Sequence, residues 1–175
     1  MSKTTNPDGS PRPDIPGSST VADSAEIDVT AEIGEDVQIG RGARVGPNAC
    51  LAHGNMVKQG VSIGARADLG PDVHVSANAR VGILVVVDKD AWVGVGANVG
   101  RACKIGADVL IGARANVQPE VHVCDGAEIG AQAEIMRHAI VGPKAVVGRR
   151  AWIGWGVEVD AGATVADGVD LRGAV

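Results

Sequence analysis

Asp72 and His74 lie two residues apart in a chain with four histidines among 175 residues. A carboxylate next to an imidazole can fix its tautomer and stabilise the imidazolium, which is what a general base requires. Met56 and Trp92 flank His74 at equal distances along the chain, and Asn55 immediately precedes Met56. These residues suggest proton abstraction by His74, oriented by Asp72, with Asn55 as a further polar group. Met56 and Trp92 would supply a surface on which a ligand packs. The simpler alternative makes His74 a packing residue against Trp92. Cys50, Cys103 and Cys124 form no Cys-x-x-Cys pair and no even disulfide set. Free thiols in a reducing, cytoplasmic setting are therefore expected.

The equal spacing of Met56, His74 and Trp92 is a multiple of a stricter one. Every sixth residue from Val21 to Leu171 is Val, Ile or Leu, giving 26 hexads without an insertion. Two residues earlier in each hexad, from Ala25 to Val169, stands Ala, Val or Cys, with Asn55 the single exception. Apolar positions two apart point to the same side of a strand, so each hexad reads as a short strand followed by a turn. Gly often follows the aliphatic residue, as at Ile33-Gly34, Ile105-Gly106 and Ile129-Gly130, which suits a tight bend. The period of six, the 25 glycines and the excess of β-branched residues exclude an α-helix. A buried amide at position 55 is costly unless it is hydrogen-bonded, which is why Asn55 joins the candidate site.

Composition narrows the function classes. Phe and Tyr are absent and there are three Trp, so the core must be aliphatic and alanine. A formal charge of −5 argues against a predominantly electrostatic nucleic-acid or anionic-membrane binder. The longest purely aliphatic stretch, Ile83 to Val87, is far short of a bilayer span. Neither nucleic acid nor membrane is expected as a partner.

The order aliphatic, Gly, two variable residues, small residue, variable residue, as in Ile105-Gly106-Ala107-Asp108-Val109-Leu110, resembles the hexapeptide-repeat proteins over residues 21–171. The resemblance implies an all-β fold: a single-stranded left-handed parallel β-helix of triangular cross-section with no helical domain. Three hexads make a coil, so the 26 hexads give nearly nine coils, an exception to the right-handed crossover habit. Residues 1–18, with four of the eight prolines and no apolar period, are expected to be a flexible tail ahead of a β-helical domain over 19–175. The alternative is a segment docked on the first coil.

In the acyltransferases of this family a seam histidine deprotonates the acceptor hydroxyl or amine. The thioester of an acyl-CoA or acyl-carrier protein lies along a groove. The resemblance therefore makes His74 the base, Asp72 its orienter, and Trp92 and Met56 the surface for acyl-CoA, with a sugar or other small molecule as acceptor. Two features depart from those enzymes: no loop is extruded from the hexads, and no Gly-Asn-Pro-Ala-like segment precedes Val175. The related γ-class carbonic anhydrases need two of three zinc histidines five residues apart. His53, His74, His122 and His138 are separated by 21, 48 and 16 residues, so no metal is expected. The second reading of so regular a lattice is a noncatalytic scaffold or self-assembling rod.

With three hexads to a coil, the outward residues form columns. One holds Gln38, Met56, His74, Trp92, Leu110, Glu128 and Val146. Its apolar members form a stripe that a soluble monomer normally avoids. A homotrimer packed through the Met56, His74, Trp92, Leu110, Val146 face is expected, which is also the usual state of the family. At the corners, Asp72, Asp90 and Asp108 stack as a cation ladder or as turn residues. Arg114, Arg149 and Arg150 stand ready for an anionic ligand or as solvated charge.

Overall fold

The computed structural model describes residues 5–172. Within them lie 26 two-residue strands, from Thr20–Val21 to Asp170–Leu171, and no helix. Each strand pairs in parallel with the strand three places along: Thr20 lies beside Gln38, and the same register holds without slip to Trp152 beside Asp170. Three sheets of nine, nine and eight strands form the sides of a left-handed β-helix. The first face begins at Thr20–Val21, the second at Glu26–Ile27 and the third at Glu32–Ile33. Nine strands make eight spacings of about 4.8 Å, a height of ~38 Å. No helix among the described residues is long and apolar enough to cross a membrane.

Both inward positions of each hexad fill the prism. Ala25 and Ile27, Val37 and Ile39, Ala133 and Ile135 are buried, and no aromatic side chain joins them. Aliphatic side chains pack in repeated layers because every coil presents the same cross-section to the next.

The glycines that follow the aliphatics do not make the bend. Gly34, Gly64, Gly112 and Gly130 have no left-handed φ. A Cβ built on Gly130 would lie 2.5 Å from the Gly148 carbonyl carbon and 2.6 Å from the Arg149 nitrogen. Glycine is required there because the backbone of the next coil passes directly above. The left-handed conformation falls two residues later, at every sixth residue from Asp36 to Gly168, with φ between 53° and 72°. Only eight of these 23 positions are glycine, and none is β-branched, the residue type this conformation tolerates least. Asp72, Asp90 and Asp108 occupy three of them, so turn geometry accounts for their stacking.

The N-terminal segment is not free where the structure describes it. Asn6 and Arg12 are buried, and Ile15 packs against the core. Docking escapes a search for apolar periods because two polar side chains make it. Residues 1–4 of the expected tail and 173–175 of the expected domain lie outside the described residues.

Gly130→Ala should lower stability by about 1–3 kcal/mol, the cost of overpacking a close contact. Leu84→Gly, at an exposed left-handed position with φ 59°, should leave stability unchanged or raise it. Thermal melts followed by circular dichroism check both, and a Gly130→Ala melt equal to wild type would remove the close-contact account.

Candidate functional site

His74 opens the strand His74–Val75 on the first face; Val75 fills the core, so the imidazole faces outward. Register sets Met56 one strand below it and Trp92 one strand above. The His74 and Trp92 rings stack with centroids 3.8 Å apart and planes 12° from parallel. Burial holds the imidazole below the ordinary histidine pKa, and the nearby Lys58 ammonium acts in the same direction. His74 is therefore neutral at pH 7, the form that accepts a proton.

In this structure the ion-pair partner of Asp72 is His53. At the corner before the strand, Asp72 takes a left-handed φ of 57°. Its carboxylate lies over Gly54, where any added Cβ would collide with it, and 3.8 Å from Nε2 of His53. The turn conformation thus aims Asp72 down at the previous coil. Asn55 also leaves the reacting surface, because it lies fully buried inside the prism. The Val73 N–H donates to Asn55 Oδ1 at 2.8 Å, and Asn55 Nδ2 donates to the Leu69 carbonyl at 3.3 Å. These bonds satisfy the amide and pin the Leu69–Val73 turn that leads into His74. Asn55 thus lies inside the prism, behind the turn that leads into His74.

The corner after the first face carries a second column: Gly40, Lys58, Ser76, Gly94, Gly112, Gly130 and Gly148. From Gly94 to Gly148 its floor has no side chains, leaving a largely apolar trough of about 590 Å³. Trp92, Leu110, Glu128 and Val146 form one wall, Val95 and Ala113 the other, with Ser76 near His74 and Arg149 and Asp167 at the far end. His74 and Val146 are four strand spacings apart, ~19 Å. Beyond the trough a polar pocket of about 600 Å³ is lined by Gln132, Arg149, Arg150 and Asp167. Arg150 Nε donates to Gln132 Oε1 at 2.9 Å. On the other side of Lys58 a recess of about 240 Å³ is lined by Thr20, Gln38, Gly40 and Met56. Trp92 thus belongs to the trough and Met56 to the recess, with His74 between them.

Reasoning from the sequence missed Lys58 and Ser76. The signal was present: they are the side-chain-bearing interruptions of an otherwise glycine floor between Gly40 and Gly148. Cys50, Cys103 and Cys124 are free, and burial pushes all three thiols up, so they stay protonated at neutral pH and are poor nucleophiles. Among the described residues no group of three His, Cys, Asp or Glu side chains could hold a metal ion.

The period of six and the three-sided prism define the fold class: a left-handed parallel β-helix. Residues 102–137 match the family described as bacterial transferase hexapeptide (six repeats). Comparison with curated protein sequences finds no match. Solved structures share the fold. LpxA from Acinetobacter baumannii is 15% identical with a TM-score of 0.51, the alignment covering 87% of this chain and 70% of that one. The UDP-N-acetylglucosamine acyltransferase of Francisella novicida is 20% identical with a TM-score of 0.52, over 84% and 66% of the two chains. The Arabidopsis UDP-N-acetylglucosamine acyltransferase is 16% identical with a TM-score of 0.53, over 86% and 60%. The chain thus spans between 60% and 70% of the length of these structures.

In a proton NMR titration the His74 ring should titrate below the ordinary histidine value of about 6.5. Lys58→Met should move it part of the way back up, burial remaining. With its folded pKa depressed, His74 contributes its full share of stability above the unfolded value. That share shrinks as pH falls from there toward the lower folded value. A His74 titration unmoved by Lys58→Met would remove Lys58 from the account.

Proposed function

We propose that the protein is an acyltransferase, moving an acyl group from a pantetheine thioester such as acyl-CoA to the hydroxyl or amine of a sugar or other small acceptor. The observation that carries this reading is the glycine-floored trough. It is largely apolar, its glycine floor spans three strand spacings, ~14 Å, and it has the neutral imidazole of His74 one coil beyond one end and Arg149 and Arg150 at the other. An extended pantetheine arm has that shape and order of length, a reactive sulfur at one end and phosphate at the other. The arginines suit the phosphate because their guanidinium forks match its oxygens.

In this reading the acceptor occupies the recess of Thr20, Gln38 and Met56. His74 takes the proton from the acceptor as its oxygen or nitrogen bonds to the thioester carbonyl carbon. The tetrahedral adduct collapses with cleavage of the carbon–sulfur bond, and the imidazolium returns the proton to the departing thiolate. Trp92 holds the imidazole plane by stacking and contributes to the trough wall. The fold shared with UDP-N-acetylglucosamine acyltransferases supports the same class of chemistry.

The reading includes a homotrimer packed through Met56, His74, Trp92, Leu110 and Val146. Trp92 and Leu110 are each 46% exposed in the single chain, and a second copy laid along this face would roof the trough.

Titrating acetyl-CoA and free CoA into the purified protein, with light scattering on the same sample, tests both parts. Saturable binding at one site per subunit of a trimer is expected, and absence of binding would sink the transferase reading. In a transfer assay His74→Ala should abolish turnover while binding of the donor persists; turnover equal to wild type would exclude His74 as the base. Trp92→Glu should yield monomers, and a variant that stays assembled would place the interface on another face.

A further inference from the structure

Among the described residues no coil lies beneath the first one, so its strand edges should expose unpaired N–H and C=O groups that template pairing with another chain. At Ile27 that edge is closed by a single side chain. The Ile27 N–H donates to Asn6 Oδ1 at 2.8 Å, and Asn6 Nδ2 donates to the Ile27 carbonyl at 2.8 Å. One primary amide thereby offers both groups that a neighbouring strand residue would offer. Arg12 closes the adjoining position: its Nη2 donates to the Ala25 carbonyl at 2.6 Å and to the Ala22 carbonyl at 3.3 Å, while its Nε donates to Asn6 Oδ1 at 3.1 Å.

The amide is held ready by local structure. The Asn6 N–H donates to the Ser10 carbonyl at 2.8 Å and the Gly9 N–H to the Asn6 carbonyl at 3.0 Å, with Gly9 at φ 87°. A bridge between Thr5 and Pro11 completes the loop. Asn6 and Arg12 are both buried, although neither belongs to a repeat. Placing a guanidinium and an amide on bare backbone groups at an open end is costly unless the hydrogen bonds recover the desolvation, and here they do.

We propose that residues 5–15 are an end cap whose function is to deny the Ala25–Ile27 edge to a strand of a second copy of this chain, so that copies do not join end to end. This is independent of the acyltransferase reading: it concerns a different end of the prism and predicts nothing about turnover.

The test is the full chain carrying Asn6→Ala with Arg12→Ala, examined by circular dichroism and by light scattering over a concentration series. A synthetic peptide of residues 1–18 is then added in excess. The expected result is an unchanged β signal, a mass that rises with concentration where wild type stays constant, and return to the wild-type mass with the peptide. A folded variant of constant mass would overturn the proposal. So would growth that the peptide does not reverse, and so would loss of the β signal, which would make the segment part of the folding core instead of a cap.

Discussion

Between successive coils the strand N–H groups of one turn reach the carbonyls of the next at 2.7 to 3.1 Å, from Thr20 on Val37 to Gly154 on Leu171. Such a ladder permits no stagger, and all else in the molecule is arranged around it. Coils held this close leave no space for a Cβ at Gly64, Gly112 or Gly130. The same ladder continues through the corners, where the left-handed residue donates to the coil below, as Gly54 does to Glu35 and Asp72 to His53. In the lowest corners hydroxyls take over as acceptors: Ser18, Ser24 and Thr30 receive the N–H groups of Asp36, Gly42 and Asn48.

The candidate site follows from that vertical order. A zero-stagger register stacks residue on residue along the face, so a histidine placed one full coil before a tryptophan meets it ring to ring. The trough beside it exists by subtraction, where four successive coils lack a side chain at the same corner position and walls remain on both sides. Lys58 and Ser76 end the subtraction and divide the surface at the height of His74. The shape of this surface therefore depends on which coils carry side chains, with the backbone path identical throughout.

Short strands alternating with turns were legible in the period of six over 26 hexads, and the three-sided left-handed prism in the resemblance of that repeat to the hexapeptide-repeat proteins. Where a side chain enters or leaves the plane of its coil was less legible. Asp72 and His74 are two apart, yet a left-handed φ sends the Asp72 carboxylate down to His53. Asn55 was recognisable as an anomaly, but its partners, the Val73 N–H and the Leu69 carbonyl, belong to a turn on another coil. The glycines were assigned to bending, since the usual reason for glycine at a turn is φ, whereas here the reason is the neighbouring chain. Asn6 and Arg12 were hidden in a proline-rich stretch because hydrogen bonds to backbone leave no hydrophobic pattern.

With Phe and Tyr absent and no aromatic side chain in the core, the molecule's optical signature is carried by three tryptophans, all outside the prism. Trp92 stacks on His74 at the trough, Trp152 lies under the Arg172 guanidinium at 5.7 Å, and Trp155 meets His138 edge to face at 5.5 Å. Each reports a different side of the prism against a dark interior. Emission and near-ultraviolet dichroism will therefore register events at the surface and remain silent about core packing. Single tryptophan replacements would turn the protein into a set of separate, face-specific fluorescent sensors without any added label.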